Sequence, residues 1–241
     1  MGKITFLAEL LPAASAAVAA EWKLASVQSG QCLSYVAWNT KYQEALVIDP
    51  KLEDQDSYLS IFRSLDAYVC LAVIDTHTHA DHISCAAALS QQLRAPLVMH
   101  DLCPSQRVNL RVPYTTHLSS HAGPVRLILT PGHTPDALCV YWGPFLFTGD
   151  TILIEDTGRD DLPGGDAESH FRSIETLKAA VLAAAIVLPG HDELGRASTW
   201  GDQLEKSRSL KQSRADFVRE ASAFLGPAPQ FLKESLKANF K

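Results

Sequence analysis

Several features that define large protein classes are scarce or missing in this chain. Its five cysteines are scattered, odd in number and contain no Cys-x-x-Cys pair, which favours reduced, buried thiols in a cytosol over a disulfide framework. The formal net charge of −6 disfavours nucleic acid as a partner, because phosphate binding needs a basic face. No run reaches the ~18 consecutive apolar residues of a membrane span. We therefore expect a cytoplasmic protein that binds neither nucleic acid nor a membrane.

Residues 1–21 form an Ala-rich N-terminal extension with two interpretations. The apolar stretch ends in small residues and loosely resembles a secretory signal, which would be cleaved from an exported protein. Glu9 and Pro12 interrupt the stretch and only Lys3 is basic, which favours a helix that caps the fold. Residues 22–241 contain no linker and are long enough for one domain with a large core.

Short apolar runs alternate with segments of helical spacing along the rest of the chain. The pattern is strand-like from Trp22 to Asp49, and strands are predicted at 31–38, 44–49, 71–74, 97–99, 125–129, 138–141, 145–147 and 186–188. Helices are predicted at 56–65, 83–93, 167–185 and 202–225, before a last short helix. Hairpins combined with crossovers indicate a layered αβ or αββα domain.

Seven imidazoles and carboxylates follow the predicted strands, each close to a strand end. Four lie within six residues, in the segment His77-Thr78-His79-Ala80-Asp81-His82, and the other three are His133, Asp150 and His191. His77 and His79 are two residues apart, so an extended backbone places their side chains on one side. Asp81 and His82 are expected at the start of the next helix. Strands of one sheet that end at the same edge would bring all four segments together, with the seven groups as metal ligands.

Imidazole and carboxylate ligands suit zinc, iron or manganese, and the ligand count leaves the chemistry open. Asp150 can complete a triad of two histidines and one carboxylate on a single Fe(II), with open positions for a substrate and O2. The same seven groups can instead hold two zinc ions about 3.5–4 Å apart, with a bridging hydroxide as the nucleophile.

The motif His-x-His-x-Asp-His with the later His, Asp and His resembles the metallo-β-lactamase superfamily, from about Gln31 onward. Within it, the chain is similar to the persulfide dioxygenases, which are relatives of glyoxalase II. The stretches that carry this similarity are 44–50, 76–83, 148–151, 158–166, 227–231 and 238–240. The resemblance implies a four-layer αββα sandwich with the metal site at one edge.

The resemblance also implies roles for individual residues. One Fe(II) per chain would be held by His77, His133 and Asp150. His79, Asp81, His82 and His191 would orient the ligands and shape the cavity, with catalytic contributions from Asp81, His82 and His191. Arg159 is expected either to bind substrate and hold the site loop or to pair with Asp160 or Asp161. The implied reaction oxidises glutathione persulfide, or a related persulfide, with O2 to sulfite.

The alternative function is a dinuclear zinc hydrolase of the glyoxalase II, thioesterase or lactonase type, which would use all seven ligands. The stretch of about fifty residues after His191 favours the dioxygenase, since glyoxalase II proteins carry a larger helical C-terminal domain. Glu193 stands where the dioxygenases have a Tyr. The expected partner is a small thiol persulfide or a thioester, and a homodimer is left open.

Overall fold

Two β-sheets packed face to face form the centre of the molecule in the computed structural model, which describes residues 2–6, 20–224, 226–227 and 232–240. The strands of the first sheet, in order across it, are β1 (Lys3–Phe6), β2 (Trp22–Ser29), β3 (Cys32–Asn39), β4 (Glu44–Ile48), β5 (Val69–Ile74), β6 (Leu97–His100) and β7 (Leu110–Val112). Neighbours from β1 to β4 are antiparallel, and those from β4 to β7 are parallel.

The second sheet is separated in sequence from the first. Its strands, in chain order, are β8 (Thr116–Leu118), β9 (Val125–Leu129), β10 (Leu138–Trp142), β11 (Phe145–Gly149), β14 (Ile186–Pro189) and β15 (Ser198–Thr199), and each pairs with the next. A small hairpin of β12 (Ile152–Leu153) and β13 (Asp156–Thr157) follows β11. Strands β9, β11 and β14 run in the same direction, because β10 is antiparallel to β9 and β11 while β14 is parallel to β11.

Helices flank the two sheets. They are α1 (Gln55–Ser64), α2 (Ala86–Leu93), α3 (Ala167–Ala180), α4 (Trp200–Lys206), α5 (Arg208–Lys211), α6 (Arg214–Ala223) and α7 (Leu232–Asn239). A short 3₁₀ helix, Leu52–Asp54, precedes α1. None of the helices in the described ranges is long and apolar enough to cross a membrane.

Three buried apolar clusters separate the layers. Along β3, Leu33, Tyr35 and Ala37 face the second sheet, while Val36 and Trp38 face the helices on the first sheet, as the two-residue period of a strand requires. The first outer cluster includes Tyr58 of α1 and Leu89 of α2, and the second includes Leu177 of α3 and Trp200 of α4. Full burial of each large side chain contributes about 1.5–3 kcal/mol. The four layers confirm the predicted αββα sandwich.

Three of the predicted helices have different ends in the structure. The predicted helix 202–225 is three helices, because the side chains of Ser207 and Ser213 accept hydrogen bonds from the first turns of new helices. The predicted helix 167–185 ends at Ala180, where Val181 adopts an extended backbone. The helix predicted from residue 83 begins at Ala86. Asp81 and His82 therefore lie in the loop before α2, and the expectation that they begin a helix was wrong.

The N-terminal extension contributes one strand. Lys3–Phe6 pairs antiparallel with Ala25–Gln28 at the edge of the first sheet, so the predicted helix was wrong for these four residues. Residues 7–19, on which the remaining helix and cleavage hypotheses depend, lie outside the described residues. Strands β7, β8, β12, β13 and β15 had no predicted counterpart, because runs of two or three residues carry too little periodicity.

Candidate metal centre

Strand ends of both sheets bring the predicted ligands to one edge of the sandwich. His77 follows β5 of the first sheet, while His133, Asp150 and His191 follow β9, β11 and β14 of the second. The expectation that strands of one sheet carry all four segments was therefore wrong, because the edges of two packed sheets meet here. Leu138 N–H donates to the Thr76 carbonyl at 2.8 Å and joins the two edges directly. Gly149 has φ +48°, a left-handed backbone that only glycine adopts without cost, and it turns the chain so that Asp150 faces the site.

Three of the seven groups form a common donor set. One ligand atom from each of His77, His133 and Asp150 lies within 4.8 Å of the others. Nε2 of His133 is 3.5 Å and Nε2 of His77 is 3.9 Å from Asp150 Oδ2. All three residues are buried. Two imidazoles and one carboxylate therefore converge on a common point.

Hydrogen bonds at Nδ1 fix the tautomers of both imidazoles. Thr76 Oγ1 donates its only proton to Asp49 Oδ2, so it accepts from Nδ1–H of His77 at 3.0 Å. The Arg159 carbonyl accepts from Nδ1–H of His133 at 2.7 Å. Each Nε2 is then left with a free lone pair directed at Asp150. Burial lowers the pKa of His77 to about 3, which keeps this imidazole neutral.

His79 is committed to two other buried carboxylates. Its Nε2 lies 3.1 Å from Asp49 Oδ1 and 3.9 Å from Asp75 Oδ1. Burial opposes a charge here, but the Asp49 carboxylate overcomes it and raises the pKa of His79 to about 10. Burial raises the pKa of Asp75 to about 6. His79 is therefore held as a hydrogen-bond donor apart from the triad of His77, His133 and Asp150.

Asp81, His82 and His191 form the more open side of the site. Nε2 of His191 lies 3.3 Å from Asp150 Oδ2 and 3.4 Å from Asp81 Oδ2. The Asp150 carboxylate raises the pKa of His191 to about 12, so the imidazole carries a proton. Nδ1 of His82 is 3.2 Å from Asp81 Oδ1. The His191 side chain keeps 26% of its surface exposed, against 11% for Asp150.

The donor atoms fit a bound cation. Asp150 Oδ1 and both ring nitrogens of His82 are buried and make no hydrogen bond among the described residues. Buried polar atoms without partners cost about 1–3 kcal/mol each. Despite the opposing effect of burial, the surrounding imidazoles, His191 first, hold the pKa of Asp150 well below its usual range. An ionised carboxylate with a free oxygen beside neutral imidazoles suits a divalent first-row metal.

Residues outside the motif hold the ligand segments in place. Asp49, itself at φ +50°, accepts hydrogen bonds from Thr76 N at 2.6 Å and from Thr76 Oγ1 at 2.9 Å. Asn239 of α7 donates to the carbonyls of His79 and His82 at 3.0 and 2.9 Å. The site geometry thus depends on β4 and on the last helix, as well as on the motif itself.

The buried His170 ties together two of the ligand segments. Its Nδ1 lies 2.6 Å from Asp160 Oδ1 and its Nε2 lies 2.7 Å from the Thr151 carbonyl, next to Asp150. Gly132, next to His133, packs so closely on His170 that a β-carbon there would overlap it. His170 was not predicted as a site residue, because a single histidine within a helix carries no sequence signal.

The Arg159 side chain forms hydrogen bonds with other residues of the protein. Its guanidinium forms two hydrogen bonds with the Asp161 carboxylate and donates to the carbonyls of Gly226 and Pro227. The Arg159 hydrogen bonds hold the pKa of Asp161 at about 2. The expected pairing with Asp161 is present, whereas Asp160 pairs with His170. Arg159 also supplies the carbonyl that fixes His133, so it holds the site loop.

Cys32, Asp49 and Asp75 also belong to the site, although none of them was predicted as a site residue. Cys32 was expected to be a buried apolar side chain, but it is partly exposed and its Sγ donates to Asp81 Oδ2 at 3.0 Å. Asp49 and Asp75 follow β4 and β5 directly. Like the proposed ligands, Asp49 and Asp75 follow strand ends, and this position in the sequence could have identified them as site residues.

The fold and the site together define an αββα enzyme with a metal-binding edge. The family model for the metallo-β-lactamase superfamily matches residues 116–191. A probable polyketide biosynthesis zinc-dependent hydrolase, BaeB of Bacillus velezensis, is 32% identical over 162 residues, 65% of this chain and 71% of that protein. The mitochondrial persulfide dioxygenase ETHE1 of Homo sapiens is 25% identical over 211 residues, 86% of this chain and 83% of that protein.

Solved structures agree with this assignment. The crystal structure of ETHE1 from Myxococcus xanthus superimposes with a TM-score of 0.82 at 26% identity, covering 89% of this chain and 96% of that one. A metallo-β-lactamase from Staphylococcus aureus gives a TM-score of 0.79 at 22% identity over 91% of this chain and 72% of that one. The chain belongs to the metallo-β-lactamase superfamily, which confirms the resemblance and the fold predicted from the sequence.

Proposed function

We propose that this protein is an iron-dependent dioxygenase that oxidises a small thiol persulfide with O2. The observation that carries the proposal is the buried cluster of His77, His133 and Asp150, in which one ligand atom of each residue lies within 4.8 Å of the others. Two histidines and one carboxylate form the ligand set of non-haem Fe(II) oxygenases. Similarity to the persulfide dioxygenases over 86% of the chain supports the same activity.

The proposed reaction converts RSSH, O2 and water into RSH and sulfurous acid, which ionises to sulfite. Fe(II) held by the triad would supply open positions that bring O2 and the sulfur together. The protein's own groups prepare the ligands: Thr76 and the Arg159 carbonyl hold the two imidazoles by Nδ1, which leaves each Nε2 free. His191 lies on the open side with its Nε2 3.3 Å from Asp150 Oδ2, and in the proposed reaction it would return a proton to the departing thiolate.

A dinuclear zinc hydrolase is the second candidate function. His191 lies 3.3 Å from Asp150 and 3.4 Å from Asp81, Asp81 lies 3.2 Å from His82, and His82 keeps two buried nitrogens without hydrogen bonds among the described residues. The relative at 32% identity is described as a zinc-dependent hydrolase. Under this alternative Asp150 and the neighbouring imidazoles would hold two zinc ions, which would supply an activated water for the hydrolysis of a thioester or lactone.

Metal stoichiometry and oxygen uptake together test the proposal. Protein purified and loaded with Fe(II) without oxygen should bind one iron per chain and consume O2 when given a persulfide, with formation of sulfite. Asp150→Ala should lose both the iron and the uptake. His117→Ala, an exposed histidine on β8, is the matched control and should keep both.

The His191→Ala variant separates the two candidates. Retention of one iron in this variant supports the dioxygenase, since His191 lies outside the triad. Two zinc ions per chain in the parent protein, with one lost from His191→Ala, would support the hydrolase. Iron-loaded protein that consumes no O2 with any persulfide, yet hydrolyses thioesters when loaded with zinc, would refute the proposal.

A further inference from the structure

A cavity of ≈260 Å³, lined mainly by carbon, is bordered by residues that are adjacent in sequence to His77 and His133. One wall is formed by Thr78 and Ala80, which alternate with the histidines of the motif, and by Thr134, which follows His133. The volume is just below the range of about 300–1,000 Å³ that is typical of ligand sites. The cavity therefore adjoins the residues that hold the proposed ligands.

Apolar side chains from three separate segments close the cavity. Leu102 and Pro104 come from the loop after β6, Leu162 and Pro163 from the segment after Arg159, and Leu236 and Phe240 from the end of the chain. Leu102 and Phe240 leave 63% and 44% of their surfaces exposed. Large apolar side chains exposed around one pocket are costly in water, and they typically mark a ligand site.

The charges around this cavity disfavour an anionic ligand. No Lys, Arg or His is among the described side chains that line it, and its one charged residue is Asp136. The Asp136 carboxylate already accepts hydrogen bonds from Thr78 N and Oγ1. A carboxylate of glutathione placed here would lose its hydration, find no cation and face a negative charge.

A second cavity, lined by Asp81 and His82, also offers no free cation among its described side chains. Lys51 lines it, but the Lys51 ammonium lies 2.8 Å from Glu53 and also donates to the Ser29 carbonyl. Glu234 adds a further negative charge to its wall. Glu193, two residues after His191, is also acidic. The described side chains of these two cavities thus favour a neutral, apolar substrate body.

We infer that the organic group of the substrate is an apolar carbon chain, held in the cavity between Leu102, Leu162 and Leu236. The inference rests on the proposed function, because the sulfur of that substrate is the group that reacts at the metal. Each methylene group that becomes fully buried on binding increases the affinity of the ligand about fourfold. An n-hexyl persulfide should therefore be preferred over n-propyl persulfide by as much as ~60-fold in kcat/KM.

The test compares n-hexyl persulfide with glutathione persulfide in O2 uptake by the iron-loaded protein. We expect kcat/KM to be at least tenfold higher for the hexyl compound. Leu102→Arg should reduce kcat/KM for the hexyl compound at least tenfold and raise it for glutathione persulfide. Leu182→Arg is the matched control, because Leu182 is 70% exposed and precedes β14 at the end remote from His191. It should change neither value.

Binding measured without turnover separates failure of this inference from failure of the proposed function. Calorimetric titration of the anaerobic protein with 1-hexanethiol and with reduced glutathione should show tighter binding of hexanethiol, and Leu102→Arg should abolish the difference. Equal or tighter binding of glutathione, or the same response in Leu102→Arg and Leu182→Arg, overturns the apolar cavity assignment. Tight hexanethiol binding without O2 uptake from any persulfide keeps the cavity assignment and rejects the dioxygenase.

Discussion

The buried pair of Asp49 and His79 provides the sharpest test of how the site is held together. Asp49 accepts from Thr76 twice and lies 3.1 Å from Nε2 of His79. Both side chains are almost fully buried. Asp49→Asn keeps the size of the side chain but removes the charge that faces His79. Asp49 is not one of the proposed ligands, so the change tests the support of the motif.

The expected loss of stability follows from the burial of the pair. Removing one charge of a buried, hydrogen-bonded pair costs about 3–5 kcal/mol. A chain of 241 residues has an unfolding entropy of about 0.5 kcal/mol per kelvin. Asp49→Asn should therefore lower Tm by about 6–10 °C. The exposed Asp66→Asn is the control and should change stability by less than about 0.5 kcal/mol.

The pH dependence gives an independent check. Against the opposing effect of burial, Asp49 raises the pKa of His79 to about 10, above the ~6.5 of an unfolded chain. A raised pKa contributes stability that is complete below about pH 6.5 and is lost as the pH rises through about 10. The Tm difference between the parent protein and Asp49→Asn, measured by calorimetry on chelator-treated protein, should shrink from pH 6 to pH 9.5. A difference below 2 °C at pH 6, or one that grows with pH, would refute this reasoning.

Three further substitutions test other parts of the site. His170→Phe should lower the free energy of unfolding by about 3 kcal/mol in urea titrations, because Asp160 and the Thr151 carbonyl lose a buried donor. Gly190→Ala should weaken metal binding about 10–100-fold in competition titrations with a chelator, because its β-carbon would overlap Asp150 Oδ1. Arg159→Gln should cost about 2 kcal/mol at pH 7, since it removes hydrogen bonds to one carboxylate and two carbonyls. Because Arg159 holds the pKa of Asp161 at about 2, its effect on stability should be full above about pH 4 and should decrease as the pH falls toward 2.

A control variant and three contrary results test these expectations. Gly201→Ala, at the start of α4 and away from the ligands, should leave metal affinity unchanged. A His170→Phe protein within 1 kcal/mol of the parent would show that the two buried acceptors find other donors. Unchanged metal affinity in Gly190→Ala would mean that the Asp150 carboxylate is not held against Gly190. For Arg159→Gln, a stability loss that stays constant down to pH 2 would exclude Asp161 as the partner that matters.

Much of the fold was predictable because its strands are short, buried and clearly bounded. The runs at 44–49, 71–74 and 186–188 correspond to β4, β5 and β14 within one or two residues. Helix ends were less predictable, since Ser207 and Ser213 can cap a new helix or lie within a long one. The paired N-terminal strand depends on contacts with β2, which local periodicity does not encode.

The sequence by itself determined that four candidate ligands would lie at one edge. A residue within a few positions of the end of a buried strand has its position set by the sheet edge, and this holds for His77, His133, Asp150 and His191. The division of the donors into groups was decided only by the tertiary structure. Asp49, thirty residues before His79 in sequence, draws that imidazole away from the triad. The apolar cavity likewise exists only where three distant segments pack together, because burial is a property of the assembled chain and not of its local sequence.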